Sequence, residues 1–219
     1  MKAKIQQLLK QLRSDDRNEV FDAGTGFFRV GKVPIKPLLS IVEKFPNAHN
    51  REYAVYALIT VLLGLEATQF KRNYLRKYSF RAFEVAAKNR RDIKRIIETL
   101  IETINFDESP KVRAQALETL GMSSTARKSN HKLRRKSEKS VISALSNKHA
   151  EVRFWACYAA GQLKMKNALP KLSELAANDT EDWGQWWRVS EEAEDAIDWI
   201  HGRDTEPRIP IARNPEIEK

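Results

Sequence analysis

The chain has 219 residues, of which 42% are hydrophobic and 31% are charged, so collagen-like, mucin-like and wholly disordered chains are excluded. A single Cys excludes a scaffold stapled by internal disulfides. The first residues lack an apolar signal-peptide core, and no stretch reaches about 18 uncharged apolar residues, so we expect a cytoplasmic protein without a membrane span.

Apolar residues recur at helical spacing along nearly the whole chain. The first stripe, Ile5, Leu8, Leu9 and Leu12, follows the i, i+3, i+4, i+7 pattern of an amphipathic helix. Similar stripes, separated by short polar turns, predict helices over 3–13, 17–30, 34–45, 50–65, 67–88, 90–105, 110–121, 131–146, 150–163, 167–177 and 185–201. No strand-like alternation stands out, so the predicted fold class is all-α.

Two of the predicted helices share one sequence pattern. Val112-Arg113, followed by an Ala-rich helix that ends at Gly121, lines up with Val152-Arg153 and the helix that ends at Gly161. Both segments follow a polar turn and a preceding amphipathic helix, which is typical of a helix-pair repeat. Looser matches place the remaining helices in the same scheme, with Val20 aligned to Tyr53 and Val189 aligned to Val152. The alignment predicts that the small and apolar residues of the second helices are buried between repeats: Ala116, Leu120, Ala156 and Ala160.

This order of polar turn, Val-Arg, Ala-rich helix and Gly resembles HEAT repeats, especially the short bacterial form first noted in phycobilisome lyases. The resemblance implies a right-handed α-solenoid of about five helix pairs over residues 1–202. The helix at 67–88 is then an extra element, and residues 203–219 form an extended Pro-containing tail. In HEAT repeats the Arg usually binds acidic or carbonyl groups at the turn within a repeat, which is the role implied for Arg113 and Arg153.

Positive charge is concentrated in the middle of the chain. Residues 61–140 carry 19 Lys and Arg against nine Asp and Glu, within a total formal net charge of +10. Three interpretations are open: a solubilising surface, contact with a phosphate backbone, or contact with an acidic protein surface. The basic residues that we assign to a partner-binding surface are Arg72, Arg76, Lys77, Arg90, Arg91, Lys94, Arg95, Lys132, Arg134, Arg135 and Lys136.

The Trp residues are concentrated near the other end of the chain, where all five lie within residues 155–199. Trp183, Trp186 and Trp187 crowd the last repeat, either as a cap on the array or as a weaker aromatic patch for a partner. The acidic run from Glu191 to Asp198 is interpreted as the solvated face of the last helix.

No spacing typical of a metal site or a catalytic constellation is present. The four His residues are scattered, and Cys157 lies among Ala residues as a small core side chain. We therefore predict no catalytic residue, metal or cofactor, and a non-catalytic scaffold that binds an acidic protein partner. One alternative is a nucleic-acid-binding protein related to DNA repair, because some HEAT-like arrays are DNA glycosylases. A more remote alternative is a cofactor or chromophore lyase.

Overall fold

The structure, a computed structural model, describes residues 2–30, 33–67, 90–122, 129–184, 186–205 and 208. All regular secondary structure in this part of the chain is helical, which confirms the predicted all-α solenoid. The α-helices are α1 (Lys2–Gln11), α2 (Arg17–Val30), α3 (Ile35–Lys44), α4 (Ala48–Ala67), α5 (Arg90–Phe106), α6 (Pro110–Gly121), α7 (His131–Ala144), α8 (Ala150–Gln162), α9 (Leu169–Asn178) and α10 (Val189–His201). A 3₁₀ turn, Lys166–Ala168, precedes α9. The predicted extra helix over 67–88 lies outside the described residues, apart from Ala67, which is the last residue of α4.

The helices form five consecutive pairs that stack in two layers. Each odd-numbered helix packs against the even-numbered helix that follows it, and the even-numbered helices α2, α4, α6, α8 and α10 pack side by side in chain order. We call these even-numbered helices the inner layer. In the other layer, α3 packs against α5 and α5 against α7. The second and third pairs stack directly on each other although residues 68–89 lie between them in sequence, as expected for an array held together by contacts between neighbours.

One turn chemistry recurs at all five junctions between the helices of a pair. The side chains of Asp16, Asn47, Asp107, Asn147 and Asp179 each accept the backbone N–H two residues further on, at 2.8, 2.9, 2.9, 3.0 and 3.3 Å. Such a turn satisfies a backbone donor just before the second helix begins. The polar segments recognised in the sequence therefore lead directly into α2, α4, α6 and α8, whereas α10 begins only at Val189, well after the turn at Asp179.

Small residues allow the inner helices to approach one another closely. Ala116, Leu120, Ala156 and Ala160 are fully buried, which confirms the prediction for these positions. A Cβ atom added at Gly121 would lie 2.9 Å from the Cα of Ala159 in the next helix, too close for any side chain. The Ala-rich pattern is thus a packing requirement of the stack.

The last helix begins later than predicted, at Val189 instead of residue 185. The backbone N–H of Arg188 donates to the side chain of Glu191 at 2.8 Å, which places the first helical turn after Arg188. Trp186 and Trp187 consequently lie in the connection before α10. No helix of the described residues combines the length and the apolar character needed to cross a bilayer.

Candidate functional site

The even-numbered helices of the inner layer carry a row of half-buried aromatic and polar side chains on their solvent-facing side. The sixth and ninth residues of α4, α6 and α8 share one helix face, because positions three apart are neighbours on a helix. These residues are half-buried in all three helices, and they form one row because the helices pack side by side. The row consists of Tyr53 and Tyr56, Gln115 and Glu118, and Trp155 and Tyr158.

Ring contacts extend this row at both ends. Phe21 of α2 packs edge-on against Tyr53, with 5.5 Å between ring centroids. At the other end Trp155 contacts Tyr158 at 5.4 Å and Trp186 at 6.4 Å. We call the row together with Phe21 and Trp186 the inner aromatic face.

Glu118 is the carboxyl group at the centre of the inner aromatic face. Burial raises the pKa of Glu118, while a hydrogen bond of 2.7 Å donated by Gln115 acts in the opposite direction. Burial also raises the pKa of Tyr56 and of Tyr158, and the negative charge of Glu118 adds to both shifts. The hydroxyl groups of Tyr56 in α4 and Tyr158 in α8 are thus both electrostatically coupled to Glu118 in α6.

Three further charged side chains lie near the starts of the same three helices. Burial raises the pKa of Glu52 in α4 and of Glu151 in α8, and the positive charge of Lys111 in α6 opposes both shifts. The inner aromatic face is therefore bordered by carboxylates as well as by aromatic rings. It offers apolar area, hydrogen-bond acceptors and one nearby ammonium group to a partner.

A ladder of arginines follows the edge where the turns lie. Arg51 donates two hydrogen bonds to the carboxylate of Asp107, at 2.8 and 2.9 Å, and Arg153 does the same to Asp179, at 2.6 and 3.1 Å. Each Arg belongs to one inner helix and each Asp to the turn before the next. These bidentate pairs tie consecutive repeats together.

The predicted role of the HEAT arginines is confirmed. Arg153 binds an acidic group and its own turn carbonyl at Asn147, and Arg113 binds the carbonyl of Ile104 at 2.8 Å. The sequence alignment missed Arg51, because it placed Tyr53 at the Val position of the motif. The structure instead places Asn50-Arg51 at the helix position of Val112-Arg113. The buried amide of Asn50 there binds the carbonyls of Leu12 and Ser14, both at 2.9 Å.

The predicted basic residues that the structure describes lie in the other layer. Lys94 and Arg95 of α5 are exposed but lie 3.7 and 4.0 Å from Glu98 and Glu43. A groove of about 660 Å³ between α3 and α5 is lined by Glu43, Arg95, Glu98 and Glu102. The positive charge of this part of α5 is therefore largely balanced by adjacent carboxylates.

The start of α7 is more strongly basic. Lys132, Arg134, Arg135 and Lys136 are all exposed, and Arg134 pairs with Glu138 at 2.8 Å. Because α5 and α7 are adjacent, the structure brings these residues next to the helix that carries Arg91, Lys94 and Arg95. Arg90 is the first residue of α5, and the predicted positions Arg72, Arg76 and Lys77 lie outside the described residues.

The predicted Trp cluster surrounds Phe154 at the end of the array. Trp183 and Trp187 lie 6.0 and 5.9 Å from the Phe154 ring and pack against the core, as a cap would. Trp186 also packs against the core, and it contacts Trp155 of the inner aromatic face in addition.

The acidic run of α10 is not a uniformly solvated face, so that prediction is wrong for two of its residues. Glu192 is 1% exposed and Asp195 is 6% exposed. Glu192 accepts a hydrogen bond from the indole of Trp187 at 2.8 Å, and burial raises the pKa of its carboxyl group to about 8. Asp195 is paired with Arg208 of the C-terminal segment at 2.9 Å.

Comparison with known proteins agrees with this geometry. Residues 97–190 match the family model for HEAT repeats, in agreement with the resemblance that the sequence motifs indicate. No curated protein sequence matches the chain. Within the described residues, no group of three or more His, Cys, Asp and Glu side chains could hold a metal ion.

Solved structures share the architecture at low sequence identity. The chain is similar to a structure of the complex of CpcE and CpcF of phycocyanin lyase from Nostoc sp. PCC7120, with a TM-score of 0.63 and 17% identity. That match covers 90% of this chain and 99% of the other. An engineered protein matches with a TM-score of 0.51 and 16% identity, over 90% of this chain and 79% of the other. At these identities the matches establish the fold alone.

Proposed function

We propose that the protein is a non-catalytic HEAT-repeat adaptor that binds a protein partner across its inner aromatic face. The observation that carries this proposal is the register of the face: three consecutive inner helices present half-buried side chains at the same two positions. The face places aromatic rings beside the polar groups of Gln115 and Glu118, a combination that suits the amphipathic surface of a protein partner. Tyr and Trp are also the residues that most often dominate binding energy.

The basic start of α7 gives the partner its chemical character. We infer that Lys132, Arg134, Arg135 and Lys136, together with the predicted basic residues of the segment before α5, attract an acidic surface. Exposed cations mainly increase the association rate, whereas buried aromatic anchors slow dissociation. The partner proposed is thus a protein with an acidic surface and an apolar segment that fits the inner aromatic face. The end of this face next to α8 is where Trp183, Trp186 and Trp187 lie.

A matched pair of variants tests the inner aromatic face. Gln115→Arg places a bulky charge at the centre of the face, whereas Gln7→Arg makes the same change on exposed α1 in the other layer. The partner is first isolated from the native cell with the full-length protein, with and without nuclease, and its affinity is then measured by calorimetry. We expect Gln115→Arg to weaken binding at least about tenfold, or about 1.4 kcal/mol, and Gln7→Arg to leave it unchanged.

Charge reversal at Lys132, Arg135 and Lys136 tests the kind of partner. For an acidic protein, the complex survives nuclease and the reversal mainly slows association. For a nucleic acid, the complex is lost with nuclease, affinity falls steeply with salt, and each lost phosphate contact lowers the slope by about one. Equal affinity of the Gln115→Arg and Gln7→Arg variants would contradict the inner-face proposal whichever partner is found.

A further inference from the structure

Each rung of the arginine ladder consists of the Arg of one inner helix and the first residue of the turn before the next inner helix. In one rung this turn residue is not a carboxylate. Arg51, Arg113 and Arg153 are each the fourth residue of an inner helix. Arg51 and Arg153 bind an Asp in the turn before the next inner helix, but the corresponding turn residue for Arg113 is Asn147. Asn147 keeps the turn conformation, since its side chain accepts the N–H of His149 at 3.0 Å. The neutral amide of Asn147 cannot supply the negative charge that Asp107 and Asp179 supply in the other two rungs.

The Arg113 side chain is oriented differently from its two counterparts. In the complete rungs, the Nε and Nη2 atoms bind the carboxylate and Nη1 binds a carbonyl of the protein's own turn. In Arg113 the Nε atom donates to the carbonyl of Ile104 at 2.8 Å. Within the described residues, neither of its Nη groups donates to an acceptor, although both are strong donors in a fixed planar arrangement.

The residue beside Asn147 adds positive charge to the same rung. Lys148 is exposed at the position where Glu108 follows Asp107 and pairs with Arg51 at 3.3 Å. The Asn147 carbonyl is already bound to Arg153 at 2.8 Å, and the Oδ1 atom is used in the turn, so its side chain offers only N–H donors to this rung. By its position in the repeat, the turn that corresponds to Arg113 therefore carries an amide and an ammonium group where the other two turns carry carboxylates.

We propose that this junction binds an oxyanion, a carboxylate or phosphate group, between Arg113 and the Asn147-Lys148 turn. The anion accepts hydrogen bonds from the two Nη groups of Arg113, which present paired donors to two oxygen atoms, while the Nε atom keeps the Ile104 carbonyl. The site lies on the edge of the turns and not on the inner aromatic face. It is therefore independent of the proposed adaptor function and stands or fails separately.

Titration of the full-length protein with sodium phosphate and with sodium acetate at constant ionic strength tests the site. NMR signals of the arginine Nε–H groups report binding. We expect a saturable shift of the Arg113 signal in the wild type. Asn147→Asp supplies an internal carboxylate, so we expect at least about tenfold weaker anion binding and a melting temperature higher by about 3 °C.

Asn47→Asp is the matched control. It makes the same substitution in the equivalent turn of the second repeat, where the fourth residue of the preceding inner helix is Val20 instead of an arginine. This control should leave anion binding unchanged. A stronger response to phosphate indicates a phosphorylated ligand, and a stronger response to acetate indicates a carboxylate. A linear, non-saturable shift, or equal binding in Asn147→Asp and wild type, would overturn the proposal.

Discussion

At the residue scale, the buried carboxyl of Glu192 makes a sharp prediction. Burial raises its pKa from 4.5 to about 8, so the folded state favours the protonated form more strongly than the unfolded state does. This contribution to stability is fully present below pH 4.5 and is lost as the pH rises toward 8. Each pH unit within that window costs up to about 1.4 kcal/mol of unfolding free energy.

The variant Glu192→Gln isolates this effect, because a glutamine keeps an acceptor for the Trp187 indole without titrating. We expect the stability of the variant relative to wild type to increase as the pH rises from 5 to 8, as measured by urea denaturation. Two stability profiles that stay parallel over this range would show that Glu192 is ionised or solvated in the folded protein.

Residue roles could be predicted from sequence only where the motif was intact. Arg113 and Arg153 follow Val and were assigned to the turn, but Arg51 follows Asn50 and was missed. Its recurring helix position is visible only once the helix starts are known. Glu192 was misassigned because nothing in an acidic run distinguishes a buried carboxylate from a solvated one. The inner aromatic face had a weak signal in the spacing of Tyr53 and Tyr56 and of Trp155 and Tyr158, three residues apart in each case.

At the element scale, the close approach of inner helices depends on glycine. A Cβ at Gly161 would lie 2.8 Å from the Cα of Ala196 and 2.7 Å from the Trp199 ring, and the backbone atom cannot move aside. We expect Gly161→Ala to destabilise the protein by about 1–3 kcal/mol through overpacking. This loss outweighs the roughly 1 kcal/mol that Ala contributes as a better helix former.

Gly26→Ala is the matched control for this prediction. A Cβ at Gly26 would meet the end of the Leu8 side chain at 2.8 Å, and the next nearest atom lies at 3.6 Å. Because a side-chain end can rotate away, we expect this variant to be neutral or slightly more stable in the same denaturation experiment. Comparable stability of the two variants would mean that α8 and α10 pack less closely than described.

Helices were well predicted because their apolar stripes are long and regular, and the starts at Arg17, Arg90, Pro110, His131 and Ala150 match the predicted ones. The start of α10 was placed too early, because the aromatic residues before it continue an apolar pattern without being helical. Periodicity alone does not separate a helix from an apolar connection that packs on the core.

At the scale of the whole molecule, the fold follows from repetition, while the partner does not. Every pair buries its apolar side against its neighbours, so the stack could be deduced from the helix pattern and the recurring turns. The distribution of charge between the two layers could not be deduced, because it depends on which helix faces point outward. The inner layer carries the aromatic face with its carboxylates, whereas the exposed cations of α7 lie in the other layer, beside the carboxylates of α3 and α5.

Site-specific photocrosslinking in the native cell tests the central claim, that the inner aromatic face binds a protein. A benzophenone amino acid is introduced at Gln115 on that face and, as a control, at Gln7 on α1. We expect a discrete protein adduct from position 115 that survives nuclease treatment, and none of that adduct from position 7. The absence of an adduct from position 115, or an adduct that nuclease removes, would contradict this claim.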